Sequence, residues 1–153
     1  MPRRTAAYPD DDRPLTEAGI AKMNKEAKGL LRLIAPPDLV LTSPLRRAAE
    51  TADIVARAFS IERRVDVCAE LLPGASMNRL IQHLAGIGKA SSILLVGHQP
   101  DLGHLAAYLL GSAAPLVEFK KGSLACIRTG ALAPKAEGRL LWLLTPRQIR
   151  ALA

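Results

Sequence analysis

Apolar positions along the chain change their period several times, and those changes outline alternating helices and strands. Ile20, Met23, Ala27, Leu30, Leu31 and Ile34 recur at helical spacing after Pro14-Leu15-Thr16. Thr16 is placed to cap the first turn, and Pro36-Pro37 to stop the helix. Leu39 to Leu41 then forms a short apolar run of the kind that makes a buried strand. Ser43, with Pro44 at the first helical position, predicts the cap of a second helix running to about Phe59. Ala48, Ala52, Ile54, Val55 and Ala58 give that helix its packing face. Val65 to Val67 reads as a further short strand and Glu70-Leu71-Leu72-Pro73-Gly74 as a loop. A helix is expected from about Met77 to Ile87, ending near Gly86 and Gly88. Ser92 to Val96 is the clearest strand, a continuous apolar run suited to burial on both faces. A helix from Asp101 to Leu110 ends at Gly111. Leu124 to Arg128 and Arg139 to Leu144 read as a late antiparallel pair around Pro134 and Gly138, and a short helix from Pro146 closes the chain.

Strands that alternate with helices predict a layered α/β domain. A single domain is expected over residues 1–153, with residues 1–13 as an irregular lead-in whose Asp10-Asp11-Asp12 run is a solvated acidic loop. No repeat, low-complexity tract or linker interrupts it. With aromatic residues at 3% of the composition, the core must be built from Leu, Ile, Val and Ala. No run approaches the roughly 18 apolar residues of a membrane span. Arg3 and Arg4 are not followed by an apolar segment, so a secretory leader is not expected and the cytoplasm is the expected location.

A formal net charge of +7 points to anionic partners. The cations are scattered, in Arg3-Arg4, Arg46-Arg47, Arg63-Arg64, Lys120-Lys121, Arg147 and Arg150. Without a long basic block, aromatic interleaving or a nucleic-acid motif, nucleic acid is a poor fit. A small anion or a phosphorylated or acidic protein surface accounts for the charge more economically. Cys68 and Cys126 lie far apart without metal-ligand spacing and are expected to be buried, reduced thiols. No His/Cys/Asp/Glu grouping has metal-site spacing, so neither a metal nor a cofactor is expected.

Two junctions carry the candidate chemistry: Ser43-Pro44-Leu45-Arg46-Arg47-Ala48 with Thr51, and Gly97-His98-Gln99-Pro100. Each sits where an apolar run gives way to a helical pattern. If the strands are parallel, both junctions open on the carboxyl edge of the sheet, where ligands bind. A helix N-terminus offers free N–H groups and a favourable dipole to an anion, and arginine offers paired hydrogen bonds. Arg46 and Arg47 are neighbours on a helix and cannot both point the same way. One guanidinium and the imidazole of His98 would converge on a phosphoryl group. His104 reads as a packing or surface residue within a helix, and His83 is less informative still.

Taken together, Arg13-Pro14-Leu15-Thr16 with Gly19, Ser43-Pro44-Leu45 with Arg47, Ala48 and Thr51, Glu70-Leu71 and Val96-Gly97-His98-Gln99-Pro100 form an ordered set from about Asp12 to Leu144. That set resembles the histidine phosphatase superfamily, most of all its small phosphohistidine phosphatase branch of the SixA type. The resemblance implies a phosphoglycerate mutase-like three-layer sandwich, with a mostly parallel central sheet flanked by helices. It implies phosphoryl transfer in two steps without metal or cofactor, in which a histidine forms a transient phosphohistidine that water hydrolyses. Arg47 would correspond to the second pocket arginine and His98 to the second histidine. Arg13 would border the phosphate pocket, Ser43 would contribute to it, and Glu70 would stand where mutase-like relatives keep a proton donor. Implied partners are a protein carrying phosphohistidine, a small phosphate ester, and phosphate- or sulfate-like anions.

One departure matters. The family begins with an apolar strand ending in Arg-His-Gly, which supplies the nucleophile. The histidines of this chain are His83, His98 and His104, and Met1 to Pro9 has no apolar run of strand length. Three readings stand open: a start inside a longer reading frame, a pseudoenzyme that keeps an anion pocket, or His104 as a replacement nucleophile. Without the central strand, either poor stability or an irregular N-terminal segment with a gap in the sheet is expected. The functional expectation is a phosphohistidine phosphatase-like protein, inactive as written because the nucleophile is absent. The alternatives are a non-catalytic phosphate- or phosphoprotein-binding module and, less favoured, a basic nucleic-acid-binding protein.

Overall fold

Residues 12–114 and 119–153 are described by the computed structural model, so most of the expected lead-in and its acidic run lie outside the described residues. Helix α1 spans Glu17–Leu33, and the Thr16 hydroxyl accepts the Gly19 N–H at 2.9 Å, as the spacing predicts. Strand β1 is Leu39–Thr42, followed by helix α2 at Arg46–Phe59 and strand β2 at Val65–Val67. A single 3₁₀ turn at Ala69–Leu71 leads to helix α3, Met77–Ala85, capped by the Ser76 hydroxyl. Strand β3 is Ile93–Val96 and helix α4 is Asp101–Leu109. Strands β4 (Leu124–Arg128) and β5 (Arg139–Leu144) precede helix α5, Pro146–Ala151, which begins with a Thr145–Gln148 capping box.

The start of α2 differs from expectation. Ser43 is not its cap: Leu45 occupies that position, without a side-chain hydrogen bond, and Pro44 lies outside the helix. Ser43 instead uses its hydroxyl within the turn, accepting the Leu45 N–H at 3.2 Å. A hydroxyl committed to a tight turn two residues upstream has no reach to the helix proper.

β2, β1 and β3 form a parallel sheet in that order, with Val40 opposite Val65 and Leu94. Side chains alternate faces along a strand, and the alternation assigns each strand residue to one of two cores. Val40, Leu94 and Val96 meet Ala27 and Leu30 of α1, Val55 and Phe59 of α2, and Ile149 of α5. Leu41, Ile93 and Leu95 meet Leu80, Ile81 and Leu84 of α3 and Leu105 of α4, with Cys68 and Leu71. Helices thus cover both faces, giving the α/β sandwich with a parallel sheet. Gly29 of α1 is placed by contact with α5, because a Cβ there would stand 2.0 Å from the Ile149 carbonyl oxygen.

β3 is a second departure. Its four residues, expected to be buried on both faces, are each only half-buried. Among the described residues β3 pairs with β1 alone, while β4 and β5 form a separate antiparallel pair with an irregularity between Cys126 and Ile127. Leu124 and Leu144 nevertheless pack on the same core as α1 and α2. The pairings among the described residues therefore fall into two sets lying over one core. No helix among the described residues is long and apolar enough to cross a membrane.

Candidate functional site

The ends of β1 and β3 are tied together by backbone: the Ser43 N–H donates to the Val96 carbonyl at 2.9 Å. That bond sets the two junctions side by side on the carboxyl edge of the parallel sheet. Ser43 is fully buried, and its Oγ lies 2.8 Å from Nε2 of His98. The structure therefore brings the first junction and the histidine of the second into direct contact across 55 residues. Arg47 follows on the first turn of α2, 7% exposed, and its carbonyl accepts the Thr51 hydroxyl at 2.9 Å. A guanidinium held at so low an exposure keeps little contact with water, which strengthens any anion interaction it makes.

Arg13 is brought to the same helix by a residue the sequence did not single out. Glu50, on α2, accepts the Leu15 N–H at 2.7 Å with one carboxylate oxygen and the Arg46 Nε–H at 3.1 Å with the other. Asp12 adds a 3.8 Å ion pair with Arg46. The Arg13-Pro14-Leu15 turn is thereby fastened to the helix that carries Arg46 and Arg47. The i, i+4 spacing of Arg46 and Glu50 was the available signal, but nothing along the chain announces the tie to Leu15.

His98 and Glu70 line one cleft of about 240 Å³ with Asp101 and His104. Asp101 accepts the Gly74 N–H at 2.8 Å, holding the Pro73-Gly74 loop against the start of α4. His104 is exposed, in the middle of α4, and faces this cleft rather than a packed interior. The Glu70 carboxyl is held below the usual carboxylate range, first by a hydrogen bond from its own backbone N–H and then by the Cys68 thiol. It is therefore ionised at neutral pH in the resting protein, which suits it to accept a proton before it could donate one. Burial, reinforced by Glu70, pushes the Cys68 thiol up, so it is a thiol and not a thiolate there. Both cysteines are free, as expected; Cys68 is buried but Cys126 is only half-buried, in β4. The structure also brings His83 of α3 to the Cys68–Glu70 pair: donor atoms of the three lie within 4.8 Å of one another.

The family model of the histidine phosphatase superfamily (branch 1) matches residues 2–71. An uncharacterized protein of Picosynechococcus is 34% identical over 143 residues, covering 90% of this chain and 86% of that protein. The phosphohistidine phosphatase SixA of Escherichia coli is 25% identical over 146 residues, covering 94% of this chain and 88% of SixA. A solved structure of the protein histidine phosphatase SixA complexed with tungstate superposes with a TM-score of 0.80 at 25% identity, covering 94% of this chain and 90% of that one. A parallel sheet whose strand ends carry Ser43 and His98 into contact, the Arg13 turn tied to α2, and a likeness that runs over nine-tenths of the chain lead to one conclusion: the chain belongs to the histidine phosphatase superfamily, with the fold of its SixA-type members.

Proposed function

We propose that the edge formed by Ser43, Arg47, His98 and Arg13 holds the phosphoryl group of phosphohistidine on a partner protein. The observation that carries this is the 2.8 Å contact between Ser43 Oγ and His98 Nε2, which brings the two junctions together. The transferred phosphoryl group spreads negative charge over its equatorial oxygens, so fixed cations stabilise it best where water is excluded. Arg47 and a protonated His98 supply such charge. When His98 is protonated, its Nε2–H donates to Ser43 Oγ, which also accepts the Leu45 N–H. The serine hydroxyl proton is then left to donate to the anion. The tungstate held by a solved SixA, an oxyanion of similar shape, supports this reading.

Turnover is a separate question, and here the reading is binding with hydrolysis near background. The family reaction needs a nucleophilic histidine at a strand end opposite His98. His83 lies on α3 and His104 on α4, so neither is presented that way. Glu70 would serve as the proton-handling group once an anion in the cleft raises its affinity for a proton.

Calorimetric titration with inorganic phosphate and with tungstate tests the binding edge. Saturable one-to-one binding is expected, weakened by about tenfold or more in Arg47→Ala and in His98→Ala. Binding that is untouched in both variants would overturn the assignment. Hydrolysis of a phosphohistidine protein is expected at background, and an N-terminal extension carrying a strand that ends in Arg-His-Gly is expected to raise it. Brisk turnover by the chain as given would refute the non-catalytic part of the proposal.

A further inference from the structure

Outside the Ser43–His98 contact, Cys68 and Glu70 offer a thiol and a carboxylate from the 3₁₀ turn and its cap, and His83 an imidazole from α3. Among the described residues, they are the one His/Cys/Asp/Glu trio whose donor atoms meet. Cys68 ends the β2 strand region and shares a core with Leu80 and Leu84 of α3. Packing of that helix face fixes how His83, next to Leu84, stands over the 3₁₀ turn that carries Glu70. Cys68 Sγ lies 3.3 Å from Glu70 Oε2, and Glu70 Oε2 lies 4.0 Å from His83 Nδ1.

Those separations are close to what a tetrahedral ion requires. Zinc bonds of about 2.0 Å to carboxylate or imidazole and about 2.3 Å to sulfur put neighbouring ligand atoms roughly 3.3–3.6 Å apart. Closing the trio around an ion thus asks for movements of about an ångström from the exposed Glu70 and His83 side chains toward the buried sulfur. The side chains of Glu70 and His83 are 31% and 41% exposed, while Cys68 is buried. Sulfur with imidazole and carboxylate is a borderline-soft donor set that favours zinc-class ions over magnesium or calcium.

We propose that Cys68, Glu70 and His83 form a site for a zinc-class divalent cation at the rim of the cleft, with the fourth position left to solvent. On binding, the ion displaces the thiol proton to bulk water, and the sulfur, one Glu70 oxygen and His83 Nδ1 close around it. Glu70 is shared with the proton-handling role proposed above, but no residue of the Ser43–His98 contact takes part, so the site stands or falls apart from phosphate binding.

Titration of the purified, metal-free protein with Co²⁺, followed by displacement with Zn²⁺, tests it. One equivalent of Co²⁺ should produce near-ultraviolet thiolate-to-cobalt absorption that Zn²⁺ abolishes. Cys126→Ser should keep the band and Cys68→Ser should lose it. His83→Ala, on an exposed helix face where folding is not at stake, should weaken Co²⁺ by roughly tenfold or more. No thiolate band in the unaltered protein, a band that survives Cys68→Ser, or unchanged affinity in His83→Ala would each overturn the site.

Discussion

Glu50 accepts the backbone N–H of Leu15 at 2.7 Å, across 35 positions of the chain. The same carboxylate holds Arg46, so one acidic side chain aligns the Arg13 turn and orients a basic helix start. Glu50→Ala should therefore weaken inorganic phosphate binding several-fold although Glu50 itself carries the wrong charge for an anion. Stability should fall by about 1 kcal/mol, the typical net worth of such hydrogen bonds. Calorimetry with phosphate, alongside urea unfolding, separates the two effects. A variant that binds phosphate more tightly would show that Glu50 merely repels the ligand.

Ser43→Ala removes an oxygen shared by His98 and the Leu45 N–H. Since Ser43 and Leu45 are both buried, the orphaned N–H should cost about 1–3 kcal/mol. Phosphate affinity should drop as well, because the imidazole loses its anchor. Ser43→Thr, which keeps the hydroxyl, should recover most of the affinity if it fits. Equal affinity in the wild type and Ser43→Ala would remove serine from the anion edge.

Gly29→Ala should separate α1 from α5, since the new methyl would meet the Ile149 carbonyl at 2.0 Å. Overpacking of this kind costs about 1–3 kcal/mol, and more where a backbone atom blocks the way. A lowered urea midpoint with little change in slope is the expected result.

Glu26, 5% exposed, receives a hydrogen bond from Arg150 at 3.2 Å. Burial nonetheless outweighs the arginine and raises its pKa. An acid with a raised folded-state pKa binds its proton more tightly when folded, so this group favours folding at low pH. That advantage fades as pH climbs from the ordinary carboxylate range through the raised value. Relative to Glu26→Gln, the wild type should lose stability as pH rises from the ordinary carboxylate range through the raised value, measured by urea midpoints. A wild type that gains on the variant over that range would reverse the assigned balance of burial and charge.

Much of this arrangement was legible in the sequence, for local reasons. Thr16 and the spacing from Ile20 to Ile34 act within a few residues, as does Pro146 at the start of α5. The start of α2 was misplaced because the Ser43 hydroxyl serves the turn and the contact with His98, a partner 55 residues away. The half-burial of β3 escaped notice because an apolar run reports hydrophobicity but not how many neighbours are present to cover it. Glu50 was not singled out, because its tie to Leu15 exists only once the turn folds back. Cys68, Glu70 and His83 meet only because α3 packs its Leu80 and Leu84 over the sulfur.

Val40 and Leu41 are consecutive residues that belong to opposite interiors, one beneath α1 and α2 and the other beneath α3 and α4. A slip of β1 by a single position would exchange their surroundings and carry Ser43 to the far side of the sheet. The placement of the Ser43–His98 contact is thus inherited from hydrophobic sorting: the same choice that sends each aliphatic group to its own half also fixes which way that edge of the sheet faces.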